Sequence, residues 1–531
     1  MKPAETVLKY VLAAAAVGYL AMYLFVALSR LAYPFSLEWM EGGAVDHVRW
    51  ILAGRPLYGR PTLEFVAYAY TPLYYYLGAA VAYVLGVWLM PLRLISFLAS
   101  LGCLAVIYLW VRRETGAAFF GLLSAGMFAA MFRAGGAWFD LARVDTLFLL
   151  FLLLALYTLP WMASSAALGA EPVDAPAARR HERAWLASSA AAGLWLVLAF
   201  QTKQTALVVA LPLMAYALAV HGRRATAFVG VAGLGTAGSV WALNSLYGGW
   251  YNYYVFDLPR RHSIVPHMWL DFWLVDIFLA LFVVSLVTLA FGIGLSLAKP
   301  GQDSGSGKRR LWFYVAAFAG MLAASWGSRL SDGGYNNVLL PAYAMLSVGF
   351  GLGVHQLLAW TARWRAPRGS MANCYLFLLC LIQFLTLRYD PLAQIPSRAD
   401  LDSGYRAIQQ IAQLEGDVFI PYCGGLSAMA GKLPYASAMG LFDVIGWDRR
   451  SEAAQALSAE VRRALTERRF GALILNEPQD WFERAWLPET TTFYSPTGQL
   501  FDDPTVFWPV TGMRTRPQVI YLPAEARTQT P

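Results

Sequence analysis

Apolar runs long enough to cross a bilayer recur along this chain, separated by loops too short to hold soluble domains. A crossing helix needs about 20 apolar residues. Candidate spans fall near 7–29, 92–111, 117–133, 144–162, 186–200, 204–220, 226–246, 271–297, 311–326, 337–360 and 372–387. Composition agrees: 58% of the 531 residues are hydrophobic and 14% charged, against about 25% charged in soluble proteins. A soluble enzyme, a disordered chain and a disulfide-stapled module are excluded. The net charge of +8 does not signal nucleic-acid binding, because the basic residues sit in short loops between apolar runs, as orientation signals do. Cys103, Cys374, Cys380 and Cys423 show no metal-ligand spacing.

Positive loops set the expected orientation. Arg112–Arg113, Arg179–Arg180 with Arg183, Arg223–Arg224, Lys308–Arg310 and Arg363–Arg368 fall on one side if the spans alternate, and the N-terminus joins them as cytoplasmic. The condition is that 68–88, a Tyr-rich apolar segment, lies at the outer surface without crossing. The outer face then receives residues 30–91, 134–143, 247–270 and 327–336. From about residue 389 the composition becomes that of a soluble domain. An amphipathic helix over 398–415, a strand at 417–421, a second helix over 451–469 and a strand at 471–475 predict a small α/β unit. The expected fold class is a polytopic α-helical membrane protein of about eleven transmembrane helices. Residues 1–388 form the membrane domain and 389–531 an extracytoplasmic α/β domain.

Ionisable residues beside spans carry the functional hypotheses. Glu38, Glu41 and Asp46 cluster in FSLEWMEGGAVDHVRW, and Asp140 and Asp145 in FDLARVDTLFLLF. A solvated acidic loop would account for the first cluster, and helix capping for Asp145; the shared outer face favours a site. Lys203 in FQTKQTA either snorkels to the surface or holds a phosphate. The same face gathers Arg143, Arg260, Arg261, His262 and His267, and then Arg329, Asp332, Tyr335, Asn336 and Asn337. Carboxylates for acid–base work, cations for phosphate and aromatic rings for sugars together fit group transfer from a phosphate-bearing lipid.

The ordered series LEWMEGG, GRPLYG, YTPLYYYL, RVDTLFLLF, TKQTA and GGYNNVLLPAYA resembles the GT-C fold membrane glycosyltransferases that use polyprenyl-phosphate-linked sugars. The similarity is to bacterial members related to aminoarabinose transferase and to the protein O-mannosyltransferases, and it covers roughly residues 1–390. It implies an inverting transfer to an acceptor hydroxyl at the outer face of a bacterial inner membrane. It places Glu41 first and Glu38 second among the first-loop catalytic carboxylates, with Asp145 and then Asp140 in the second motif. Lys203, Arg143, Arg260 and Arg261 are the expected phosphate contacts; Tyr74, His262, Tyr335, Asn336 and Asn337 are expected to face substrate. A divalent cation is a candidate cofactor with no ligands assigned. The expected partners are a polyprenyl-phosphate-sugar donor, the bilayer, and a glycan, lipid or protein acceptor. The rival readings are a lipid-linked substrate flippase, which would want charges near the bilayer midplane, a GT-C-like glycan polymerase or ligase, and a scaffold with a degenerate site.

Overall fold

A computed structural model describes residues 2–159, 175–297, 304–365, 367–477 and 481–524. The first apolar run is one helix, α1 (Lys2–Arg30). It is followed by α2 (Glu41–Leu52) and α3 (Leu73–Leu85) in the first loop, then α4 (Leu89–Thr115), α5 (Ala118–Ala130) and α6 (Asp145–Thr158). Helices Ala175–Thr202, Ala206–His221, Thr226–Leu246, Phe282–Leu297, Ser304–Leu330, Leu340–Thr361 and Arg368–Thr386 complete the bundle. Among the described residues, seven helices are long and apolar enough to span, and a bent pair makes an eighth. That tally takes Ala206–Leu246, two helices joined by a short turn, as one span, and it does not confirm the expected count of about eleven. α5 and α6 have 13 and 14 residues, about 20 Å at 1.5 Å per residue, which is short of a hydrocarbon core. Residues 160–162 of the expected fourth span lie outside the described residues. Residues 68–88 contain only the 13-residue α3, likewise too short to cross.

The expected span 271–297 is two helices, Met268–Leu279 and Phe282–Leu297, meeting at 93°. A bend of that size strands backbone groups that must find other partners. Gln383, buried in the last bundle helix, supplies them. Its Oε1 accepts from the backbone of Val283 at 2.9 Å and of Val284 at 3.4 Å, and its Nε2 donates to Ala280 O at 3.1 Å.

Helix Leu340–Thr361 is the bundle's central post, with 94% of its most apolar stretch buried. Around it lies one continuous apolar core that includes Trp110, Phe128, Leu152, Phe313 and Phe350. Beyond Thr386 the chain turns α/β. Helix Arg398–Gln413 opens with a Ser397–Asp400 capping box. A four-stranded sheet follows, ordered β1-β2-β4-β3, from β1 (Val418–Phe419), β2 (Ala472–Glu477), β3 (Tyr494–Gln499) and β4 (Arg516–Pro523). β1 runs parallel to β2, with Val418 opposite Ala472, and the other pairs are antiparallel. One face of this sheet shares a core with the first loop: Leu473 and Tyr494 join Val48, Tyr58 and Tyr75. Backbone bonding from Ala436 N to Leu63 O, 2.9 Å, stitches the two together.

Candidate active site

Two buried arginines at span ends build the platform. Arg30, the last residue of α1, holds Asp140 through two parallel bonds of 2.6 and 2.7 Å and donates to Ala137 O at 2.7 Å. Both partners are buried. Arg93, in the first turns of α4, grips Glu41 in the same bidentate way at 2.7 and 2.9 Å. It also donates to the carbonyls of Tyr33 and Phe35. The backbone N–H groups of Leu37 and Ala142 add 2.7 Å bonds to the Glu41 carboxylate. A carboxylate offers about four acceptor positions, so Glu41 is saturated. Burial alone would raise its pKa, but Arg93 and the backbone donors outweigh it and hold the carboxyl below its usual range. Glu41 thus ties together the end of α1, the first loop and the 140s loop.

Between these two clamps four ionisable side chains form a row of alternating sign. Arg143 stands in the middle, 3.7 Å from Glu38 and 4.0 Å from Asp145; Lys203 Nζ donates to Asp145 Oδ1 at 2.8 Å. Asn337 donates to the same oxygen at 3.0 Å. Tyr70 accepts from Arg143 at 3.2 Å, and the Arg143 guanidinium lies 5.0 Å from the Trp138 ring centroid. Tyr70 is fixed by its neighbours: Thr71 Oγ1 donates to Phe200 O at 2.7 Å, and Gln204 donates to Ala69 O at 2.8 Å. The YTPL segment is thereby tied to the TKQTA turn, which is why two motifs 130 residues apart meet.

Each carboxylate in the row keeps one oxygen without a hydrogen bond. Glu38 Oε1 and Asp145 Oδ2 are buried and accept no hydrogen bond from the described residues. Both oxygens are therefore free to accept a hydrogen bond from a ligand or to take a proton. Burial raises the Glu38 pKa to about 7, against the pull of Arg143. Asp145, Lys203 and Asn337 line a small cavity with Ser328 and Pro341. Glu38 is covered by the C-terminal region: a Cβ on Gly512 would sit 2.7 Å from Glu38 Cγ, and the positive φ of Gly512, 77°, also favours glycine there. Thr511 pins that cover by accepting from Trp138 Nε1 at 3.2 Å.

Several residues expected at the site stand elsewhere. The Tyr74 hydroxyl is buried and bonded to Leu92 O and Ser96, both at 3.0 Å. Arg260 is exposed, 3.9 Å from Asp257. Arg261 pairs with buried Asp448, and His262 lies 3.3 Å from buried Asp443, so this loop docks on the C-terminal region. Asn336 donates to Ala134 O at 3.1 Å, and Tyr335 stacks on Trp138. The sequence reading did not single out Arg30, Arg93 or Trp138. Arg30 closing the first apolar run and Arg93 inside the apolar MPLRLISF were its available signals, since a charge at membrane depth needs a partner. No group of three or more His, Cys, Asp or Glu comes together among the described residues. Glu38 and Asp145 each already face a cation, so this donor set does not suit a divalent metal.

Comparison with known proteins agrees with this architecture. Residues 69–238 match the family model described as dolichyl-phosphate-mannose-protein mannosyltransferase. The fold is similar to ArnT from Cupriavidus metallidurans bound to undecaprenyl phosphate (TM-score 0.54, 14% identity, 95% of this chain and 97% of that one). It is equally similar to the apo state of that protein (TM-score 0.55, 14% identity, 96% and 98%). The Archaeoglobus fulgidus oligosaccharyltransferase in complex with Zn and sulfate gives a TM-score of 0.50 at 12% identity, over 97% of this chain and 75% of that one. No curated protein matches the chain in sequence. The family match covers the stretch that holds Tyr70, Arg143, Asp145 and Lys203, and the shared architecture shows that the chain has the multi-helix membrane fold of these proteins, the GT-C fold.

Proposed function

We propose that the protein is an inverting glycosyltransferase that moves a sugar from a polyprenyl phosphate to an acceptor hydroxyl. It works at the outer face of a bacterial inner membrane, with its N-terminus cytoplasmic and residues 389–531 outside. The observation that carries this reading is the row Glu38, Arg143, Asp145, Lys203, with an unpartnered carboxylate oxygen at each acid. Lys203 and Arg143 bind the donor phosphate: an ammonium and a planar guanidinium suit a phosphate, and poor hydration strengthens both contacts. Asp145 holds the two cations apart and fixes Lys203 through the shared oxygen, with Asn337 as the second donor.

Glu38 Oε1 is the general base. It takes the proton of the acceptor hydroxyl as that oxygen bonds to the anomeric carbon. The bond from that carbon to the phosphate oxygen breaks on the opposite face, and polyprenyl phosphate leaves with the charge that Arg143 and Lys203 stabilise. A base with a pKa of about 7 is half ionised at neutral pH and matched to this task. Glu41 and Asp140, bidentate to arginine and away from the row, are positioning residues.

The test is transfer in proteoliposomes from labelled polyprenyl-phosphate pentoses and hexoses to lipid and peptide acceptors. The Lys203→Met variant is compared for binding of undecaprenyl phosphate by native mass spectrometry. Transfer by the wild type, with binding weakened tenfold or more in Lys203→Met, is expected; a lost charged hydrogen bond corresponds to about 1.5–3 kcal/mol. Donor movement across the bilayer without transfer would replace this reading with the flippase.

A further inference from the structure

Three buried arginines, Arg30, Arg93 and Arg143, surround the site, and their N–H groups are spent differently. A guanidinium carries five of them. Arg93 gives its own to both oxygens of Glu41 and to the carbonyls of Arg30, Tyr33 and Phe35. Arg30 gives its own to both oxygens of Asp140 and to the carbonyls of Ala137 and Gln394. Arg143 meets no such acceptor. Among the described residues its hydrogen bonds go to the Met40 sulfur and to the Tyr70 hydroxyl, the latter at 3.2 Å. A thioether is a weak acceptor. The carboxylates of Glu38 and Asp145 lie 3.7 and 4.0 Å away, outside hydrogen-bonding distance.

Aromatic rings hold Arg143 instead. Its guanidinium lies 5.0 Å from the ring centroid of Trp138 and 5.8 Å from that of Tyr70, and the Lys203 ammonium lies 5.9 Å from the same Tyr70 ring. A ring face attracts a cation without consuming an N–H group. Trp138 is itself fixed. Its Nε1 donates to Thr511 Oγ1 at 3.2 Å, Tyr335 stacks on its ring, and a Cβ on Gly136 would sit 3.1 Å from its Cδ1. Met40 is fixed through its backbone: its N–H donates to Glu38 Oε2 at 3.1 Å, and its carbonyl accepts from the Tyr68 hydroxyl at 3.3 Å. A charged acceptor makes a hydrogen bond roughly twice as strong as a neutral one. A phosphate oxygen therefore takes the N–H groups that Met40 and Tyr70 hold loosely. Arg30 and Arg93 would each have to surrender a bidentate carboxylate to do the same.

We propose that Met40 and Trp138 are positioning residues that hold the Arg143 guanidinium in place while leaving its N–H groups open to a phosphate. Met40 does so by offering sulfur where an oxygen would capture an N–H. Trp138 does so by keeping the cation on its ring face. The inference rests on the assignment of Arg143 to the lipid phosphate above.

The full chain in detergent is tested by native mass spectrometry with two probes, undecaprenyl phosphate and undecaprenol. They share one hydrocarbon, so the ratio of their affinities isolates the phosphate. The wild type is expected to favour the phosphate. Met40→Gln places a carbonyl oxygen in nearly the same volume and is expected to lower the ratio about fivefold, as capture of one N–H by a neutral acceptor predicts. Met40→Leu removes the competing acceptor and is expected to raise it. Trp138→Leu is expected to lower the ratio about fivefold, with Trp138→Phe recovering most of the loss. Side chains that served packing alone would move both affinities together and leave the ratio as it is. An unchanged ratio in Met40→Gln, or a fall in Met40→Leu as large as in Met40→Gln, would overturn the role of Met40. Should Met40→Gln fail to fold, Met40→Leu still tests that role. A wild-type ratio in Trp138→Leu, or no recovery in Trp138→Phe, would overturn the role of Trp138. A wild type that binds both probes equally would sink the phosphate assignment of Arg143 as well, whereas a preference that no variant changes would sink this inference alone.

Discussion

Replacing Glu38 by Gln separates activity from stability in opposite directions. In the wild type the carboxyl is fully buried and its pKa is about 7, against about 4.3 in an unfolded chain. A base of that pKa is about one tenth ionised at pH 6 and about nine tenths at pH 8, so kcat/KM rises about tenfold between them. Glu38→Gln removes the proton acceptor while keeping the shape; the expected loss is about 10²–10⁴-fold at pH 8, with the pH-dependent limb gone. Stability runs the other way. A carboxyl whose pKa is raised on folding adds stability below the unfolded value and loses it as pH rises through the folded one. The change from about 4.3 to about 7 corresponds to roughly 4 kcal/mol. The wild type is therefore expected to melt lower at pH 8 than at pH 5 by more than Glu38→Gln does. The assays are transfer in proteoliposomes from pH 5.5 to 8.5 and thermal unfolding in detergent over the same range. A wild-type rate that is flat with pH, or a Glu38→Gln rate within about threefold of wild type, would refute the assignment of the base.

Other outcomes follow from the buried network. Arg93→Met leaves Glu41 as an unpaired buried charge and is expected to cost about 3–5 kcal/mol, read as a lower melting temperature and lower yield; unchanged melting would show that the clamp is not structural. His47, in the first loop, is buried with its ring nitrogens engaged by Gly43 O at 2.6 Å and Tyr68 N at 2.7 Å, and burial lowers its pKa to about 4. A depressed histidine adds stability that is full above pH 6.5 and is lost as pH falls through about 4. Protection factors of residues 41–52, corrected for the intrinsic pH dependence of exchange, are expected to fall across that window, and a His47→Phe variant whose protection falls equally would contradict it. Gln383→Leu removes the side chain that satisfies both halves of the 93° bend. It is expected to cost about 2–4 kcal/mol for the backbone groups left unsatisfied, visible as raised protease sensitivity near residue 280.

The reason Glu41 reads as catalytic in sequence and stands clamped by an arginine in three dimensions is that its partner is 52 residues away. LEWMEGG offers two glutamates of equal standing, and only Arg93 and the N–H of Ala142 distinguish them, by filling one and leaving the other. Asp140 and Asp145 separate in the same way, one bound by Arg30 and the other left with a free oxygen beside Lys203. Arg261 and His262 share the basic outer loop with Arg260, but their partners are Asp448 and Asp443, far along the chain.

The sequence by itself determined that the chain is a multi-span membrane protein, that its C-terminal part is α/β, and that carboxylates and cations gather in a few particular loops. Those properties are local: apolar length, hydropathy period and the cost of a charge beside a span act on consecutive residues. Tertiary structure alone decided which carboxylate is saturated and which is free, where Lys203 meets Asp145, and where one expected span breaks at a buried glutamine. Each of these depends on a partner far along the chain, and burial converts that partner's presence or absence into the chemistry of the site.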